Sequence, residues 1–341
     1  MAALAALAGP AGAACRVVFD HAPPEMNACA DEGRVTMAFV GDVLLHGALQ
    51  RRAYAQGFDA LWGAAGPVLS AADIAVANLE GPTAAGYVVG GRFAGDPGPV
   101  FEGRVHTSYP IFNYHPVTLD GLVALGVDAV TTANNHGMDR GPAGADATLA
   151  EVAARGLGVT GTIPQGAPRD FVLHMDTRLG RLALIACSFS TNGMPDPFDQ
   201  TLLCYADREE LLATVRAQAA RPDVAGVIVL PHWGIEYAQR PDSAQAALAR
   251  DLAAAGATLV VGTHPHTVQP WEVLPGRGVT VPVVHSTGNF VSGQVGVARE
   301  TGILAWAELC RAARGADLVA ALTARLAVAR AGWVPIRTMR T

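Results

Sequence analysis

This chain lacks any run of lysine and arginine. Its 341 residues carry a formal net charge of −6. A polyanionic backbone would meet repulsion rather than a counter-ion surface, which argues against nucleic acid as a partner. No apolar stretch is both long enough and clean enough to span a bilayer. There is no CxxC and no Cys/His cluster with zinc-finger spacing. Aromatic residues make up only 6%, while half of the residues are hydrophobic. That composition suits one large α/β domain or two ordinary ones, with ample material for a core.

The first 33 residues read as a leader, and 34–341 as a single domain. "MAALAALAGPAGAAC" is small, apolar and uncharged, like the apolar region and cleavage site of a secretory signal. The positive n-region is missing. Cys15 after "GAA" loosely resembles a lipoprotein attachment cysteine. The expectation is an exported protein, periplasmic, extracellular or lipid-anchored, with a cytoplasmic enzyme as the alternative. Cys15 and Cys29 are placed to pair if the chain is exported. Cys187, Cys204 and Cys310 read as plain buried thiols. The Pro-rich, polar "HAPPEMNACADEG" carries no apolar face, so the leader reads as dispensable for folding.

After the leader, short β-branched and aliphatic runs alternate with helical stretches. "RVTMAFVGD", "DIAVANLE", "VDAVTTA", "VAGVIVLPHWG", "ATLVVGTHPH" and "VTVPVVHSTGNF" read as strands. "ADREELLATVRAQAA" and "SAQAALARDLAAAG" read as helices. This βαβ alternation predicts a largely parallel core sheet flanked by helices. A Gly/Pro-rich segment from Gly81 to about Pro110 is too long for a simple turn and reads as a loop covering a site. From Thr301 on, strand and helix both fit.

The apolar runs stop on polar residues. The strand ends supply Asp42, Asn78 with Glu80, Asn134-Asn135-His136, His232, and His264 with His266. Singly, each has a plain reading. Asp42 caps the next helix, His232 is a hydrogen-bonded core histidine, and the asparagines make a turn. Jointly they fall where open α/β sheets bind ligands, and burying them is costly unless they are paired or hold a cation. Carboxylate, amide oxygen and imidazole suit Zn, Mn or Fe. The donors exceed what one four-coordinate ion needs, so two ions are expected. In His264-x-His266 the strand period of two would aim both imidazoles the same way. Trp233 and Tyr237 are candidates to wall the pocket, Glu236 to orient a ligating imidazole, and Asn289 to lie in a turn beside it. His46, His106, His115, His174 and His285 are set aside as non-ligands, and Arg140 and Arg240 as surface residues.

In order, GD (41–42), NLEGP (78–82), ANNHGMDRG (133–141), HWGIEY (232–237), GTHPHTVQP (262–270) and STGNF (286–290) resemble the poly-γ-glutamate capsule-synthesis family CapA. That family belongs to the calcineurin-like metallophosphatase superfamily. The resemblance runs from about Arg34 to Gln294. It implies a four-layer α/β/β/α sandwich, with Asp42, Glu80, Asn135, His232, His264 and His266 at metal-ligand positions. It also implies that His136 assists the leaving group. Two features depart from the wider superfamily: position 44 is Leu where Asp-x-His would place a histidine, and Asn78-Leu79-Glu80 replaces the bridging aspartate motif.

The expected function is a metal-dependent phosphoesterase-type hydrolase linked to capsule or extracellular poly-γ-glutamate synthesis. Its substrate would be an anionic polymer or phosphoester, and a membrane polymer synthase complex its partner. Two other classes stand beside it. One is acid/base chemistry at carbon by Asp42 and a histidine of the 264/266 pair, as in a peptide epimerase. The other is a non-catalytic accessory that holds growing polymer.

Overall fold

The structure is a computed structural model, and it describes residues 25–313 and 325–338. Cys15, His21 and the apolar start of the leader lie outside the described residues. Thirteen strands are present among the described residues: β1 (Val35–Leu44), β2 (Ile74–Leu79), β3 (Ala129–Thr131), β4 (Gly158–Thr160), β5 (Val172–Thr177), β6 (Gly180–Ser188), β7 (Val224–His232), β8 (Leu259–Val261), β9 (Trp271–Pro275), β10 (Thr280–Val284), β11 (Asn289–Ser292), β12 (Thr301–Arg311) and β13 (Leu326–Arg337). They form two sheets, in the orders β13-β12-β1-β2-β3-β4, with β11 also on β1, and β5-β6-β7-β8-β10-β9. Each sheet has a parallel centre, β1-β2-β3-β4 in one and β6-β7-β8-β10 in the other. Antiparallel strands close the edges at β12-β13, β5 and β9.

Strand alternation sorts the side chains into layers. On β1, Met37 and Phe39 join Leu182 and Leu184 of β6, Ile228 of β7 and Leu259 of β8 in an apolar layer between the sheets. Their neighbours Ala38 and Val40 turn the other way, to Phe58, Leu119, Leu122 and Val152 on helical segments. On the second sheet Ala183, Ile185, Val227 and Val229 face Leu211, Val215, Leu248 and Leu252 of helices Arg208–Ala220 and Ser243–Ala255. The parallel strands are buried on both faces, which explains why they read as unbroken apolar runs. The result is the expected helix-sheet-sheet-helix sandwich. Thr301–Arg311 and Leu326–Arg337 are strands, because β12 pairs with both β1 and β13.

The cysteines correct the sequence reading. Cys29 is bonded to Cys310, and Cys187 to Cys204. Cys29 and Cys310 meet because β12 returns beside β1, something spacing alone does not reveal. Part of the presumed leader also belongs to the fold. Met26 N donates to Ala329 O at 2.8 Å, and Ala30 N to Arg311 O at 2.8 Å. Asn27 Nδ2 reaches Val328 O at 2.9 Å.

Candidate metal centre

The polar strand ends converge at one edge of the sandwich. Asp42 and Asn78 lie side by side on β1 and β2. Glu80 follows β2, the 134–136 turn follows β3, His232 ends β7, and His264 and His266 follow β8. Asp42, Asn78, Glu80, Asn134, Asn135, His136, His232, His264, His266 and Asn289 are all buried.

The two sheets touch through these groups. Asn78 Nδ2 donates to Asp42 Oδ1 at 2.8 Å and lies 3.2 Å from His232 Nδ1. His232 Nε2 is 2.8 Å from Asn135 Oδ1, and Nδ1 is 2.9 Å from Thr263 Oγ1. Asn134 Nδ2 donates to Leu79 O at 2.7 Å, and its Oδ1 accepts from His136 N at 3.2 Å. Asn134 therefore shapes the turn that presents the next two side chains.

His266 and Glu80 carry the electrostatic argument. His266 Nδ1 lies 3.0 Å from Asp42 Oδ2 and 3.0 Å from Asn289 Oδ1. Both are acceptors, so Nδ1 holds a proton. Nε2 lies 3.7 Å from Glu80 Oε1, which is also 3.8 Å from His232 Nε2. Both Glu80 oxygens are buried with no hydrogen-bond partner among the described residues. Burial, then the Asp42 and Glu236 carboxylates, push the Glu80 carboxyl well above the usual range. A buried carboxyl with no hydrogen-bond partner, whose ionised form is disfavoured by burial and neighbouring carboxylates, is relieved when a cation supplies the compensating charge. Asp42, Glu80 and His266 each offer a ligand atom within 4.8 Å of the others. The donor set fits a divalent ion of the Mn, Zn or Fe kind.

Burial, then His266 and His136, depress His264 far below the ordinary imidazole range. Burial, then His264, His266 and His136, does the same at His232. Neutral imidazoles are the ligand form. The paired orientation of His264 and His266 does not come from strand alternation. β8 ends at Val261, and both residues take left-handed backbone, φ 95° and 56°. Such strain in non-glycine residues concentrates at functional sites.

His136 stands apart from this ligand group. Its Nδ1 lies 2.8 Å from Asp139 Oδ2, and its ring packs edge-on against Phe112 at 4.8 Å. Asp139 was not singled out from sequence. The spacing His-x-x-Asp within ANNHGMDRG was its signal. His46, set aside earlier, borders the site: its ring meets Phe112 at 5.3 Å, and Nδ1 lies 3.1 Å from Gly293 N. Trp233, read as a pocket wall, packs in the helix-side core and donates its indole N–H to His285 O at 2.9 Å. Tyr237 is exposed and lies under the Arg299 guanidinium at 4.9 Å. Arg140, read as a surface residue, is fully buried and bonds the carbonyls of Tyr87, Val105 and Asp139. It pins the Gly/Pro-rich loop beside the site.

Two face-to-face sheets, outer helices and carboxylate, amide and imidazole groups gathered at the strand ends define a metallophosphatase-type fold. NAD nucleotidase from Haemophilus influenzae shares the fold, with TM-score 0.52 and 11% identity over 90% of this chain and 50% of that one. The chain belongs to the bacterial capsule synthesis protein family PGA_cap, whose profile matches residues 36–294. It is 26% identical to the PGA biosynthesis protein CapA of Bacillus subtilis, over 80% of this chain and 66% of that protein. It is 24% identical to the capsule biosynthesis protein CapA of Bacillus anthracis, over 76% and 60%. A probable polyglutamine synthesis accessory protein of Mycobacterium tuberculosis is 27% identical over 69% and 60%. The matches thus span about two thirds or less of these relatives.

Proposed function

We propose that this chain is a metal-dependent CapA-type hydrolase that acts on a phosphoester during synthesis of an extracellular anionic polymer of the poly-γ-glutamate kind. The carrying observation is the Glu80 carboxyl, buried with no hydrogen-bond partner among the described residues and 3.7 Å from His266 Nε2. Asp42, Glu80, Asn135, His232, His264 and His266 would hold up to two divalent ions. Bound there, the metal supplies Lewis-acid polarisation of a phosphoryl oxygen. His136 would pass a proton from Nε2 to the leaving oxygen, with Asp139 holding Nδ1–H and balancing the imidazolium. Asn134 keeps the turn in place, and Asn78 orients Asp42. The two disulfides support an exported site of action, since such bonds persist in oxidising compartments. A membrane polymer synthase complex is the partner this reading implies.

A second reading has its own support, the name of the Mycobacterium tuberculosis relative as a probable accessory protein of polyglutamine synthesis. In it the same site holds polymer without turning it over. Elemental analysis combined with phosphomonoester and phosphodiester assays in added Mn²⁺ decides between them. Bound metal with turnover that His136→Ala abolishes supports the hydrolase. Bound metal without turnover on any phosphoester favours the accessory. A metal-free protein that does not take up Mn²⁺ removes the metal centre from both.

A further inference from the structure

We propose that Arg299, stacked on Tyr237 at the rim of the metal centre, forms a carboxylate-binding subsite whose guanidinium takes a side-chain carboxylate of the substrate polymer. This rests on the reading above for where the reaction occurs. It adds what holds the rest of an anionic substrate in place.

The two residues are built into the site. Tyr237 takes left-handed backbone at φ 67°, a conformation that a bulky side chain adopts at a cost. Its N–H donates to Pro265 O at 2.7 Å, and its ring centroid lies 6.1 Å from that of His266. The residue is nonetheless 45% exposed, so packing alone does not account for its placement. Arg299 belongs to the short helix Val297–Glu300, and its guanidinium lies 4.9 Å from the centre of the Tyr237 ring. Asn289 ties this pair to the metal centre. Its Oδ1 lies 3.0 Å from His266 Nδ1, and its Nδ2 donates to Arg299 O at 2.8 Å. The same Nδ2 donates to Gln294 Oε1 at 3.0 Å, and Gln294 Nε2 lies 3.5 Å from the Tyr237 hydroxyl.

The charges leave the guanidinium without a counter-ion. Arg299 is half-buried, yet no carboxylate among the described residues lies within ion-pair distance of it. Glu300, next in the chain, is engaged by Arg337 at 3.3 Å. Glu236 is directed to the histidines, with a ligand atom within 4.8 Å of His264 and His266. The Tyr237 hydroxyl feels both neighbours: burial, then the Glu236 carboxylate, push it up, while Arg299 draws it down. A half-buried cation of this kind is stabilised by an anion brought from outside. With one face covered by the ring, the guanidinium keeps its N–H groups in plane for two parallel bonds to a carboxylate.

The surrounding field gives this cation a task. The chain carries a net charge of −6, and the centre gathers Asp42, Glu80, Asp139 and Glu236. An anionic polymer approaching those carboxylates is repelled. A fixed positive group at the rim steers the chain and sets its register.

The test titrates tri-γ-glutamate into the full chain by calorimetry, with Mn²⁺ and without. The same peptide with every carboxyl amidated, and inorganic phosphate, are titrated beside it. Wild type is expected to bind tri-γ-glutamate. Arg299→Gln should weaken that binding by about 10–100-fold, the range for hydrogen bonds to a charged group. Arg299→Lys should recover part of the loss, since the charge stays and the fork is gone. Mn²⁺ content and melting temperature should match wild type in both variants, because neither change touches a proposed ligand. Equal affinity for tri-γ-glutamate in wild type and Arg299→Gln overturns the proposal, as does a wild type that does not bind the peptide. An equal loss for the amidated peptide also overturns it, by marking a structural role. A loss for phosphate alone overturns it by making the subsite a phosphate site. The titration reads binding only, so a chain that turns over no phosphoester fails the hydrolase reading while the subsite is still judged.

Discussion

His136 and Asp139 form a closed buried pair, with Nδ1 and Oδ2 2.8 Å apart. The same carboxylate oxygen accepts from Phe112 N at 2.6 Å. The ring is thereby held in place through Nδ1. His136→Ala is expected to keep its metal and lose turnover by about 10²–10⁴-fold. Asp139→Asn should also keep metal and lose at least about 10-fold, because an amide cannot balance the imidazolium. Kinetics with metal content measured on the same samples checks both, and metal loss in either variant contradicts the division of roles.

The proposed ligands behave differently. His264→Ala, His266→Ala and Asn135→Ala should each lower bound metal, measured by elemental analysis, while far-ultraviolet circular dichroism stays at wild type. Folding is spared because these groups follow the strands rather than build them. Wild-type metal stoichiometry in both histidine variants would remove the pair from the centre.

Metal-free protein should show opposing pH dependences. The folded Glu80 carboxyl titrates far above its unfolded value. On raising pH the unfolded chain sheds its proton first, so this stability is present in acid and is lost as pH rises towards the folded value. His232 and His264 are depressed, so their contribution is present above the ordinary imidazole value and is lost as pH falls below it. Glu80→Gln removes the first effect alone. Its melting temperature without metal should exceed that of wild type, by a margin that widens from pH 5 to pH 8. A constant margin would show that Glu80 does not ionise on unfolding.

Deleting residues 1–33 is expected to destabilise the domain by about 2–5 kcal/mol, the usual cost of losing a native disulfide. The deletion removes Cys29 and the bonds of Met26 and Asn27 to β13. Urea unfolding of the truncated chain against wild type measures it. Cys29→Ser separates the disulfide from the hydrogen bonds.

Gly41 sits where β1 meets the 288 turn. A Cβ there would lie 1.8 Å from Gly288 O. Gly41→Ala should therefore force β1 and the start of β11 apart, displacing Asp42 and Asn289 together. The expected result is weaker metal binding and a lower melting temperature. A melting temperature within one degree of wild type would show that the backbone absorbs the methyl.

Much of the site was legible because of a rule of placement. Parallel strands buried on both faces read as apolar runs, so the polar residue that ends each run stands out. That exposed Asp42, Glu80, His232 and the 134–136 turn. Asp139 was harder, because a carboxylate at a helix start has a plain capping explanation. The aim of His264 and His266 depends on two left-handed backbone angles, which no side-chain pattern encodes. The Cys29–Cys310 disulfide was misread because its two cysteines are 281 residues apart. Only the return of β12 to β1 makes them neighbours, and that return looked like strand or helix equally.

Asp42, Asn78 and Asn135 ride on one sheet, and His232 and His266 on the other. The bonds Asn135–His232 and Asp42–His266 cross the seam at 2.8 and 3.0 Å. Any ion placed there works like a rivet through two plates. A slip of one plate over the other by a fraction of an ångström would separate carboxylate from imidazole before it disturbed the apolar filling between them. The grip on the ion would then act as a strain gauge for the sandwich, registering shear at its far edges as a change in affinity.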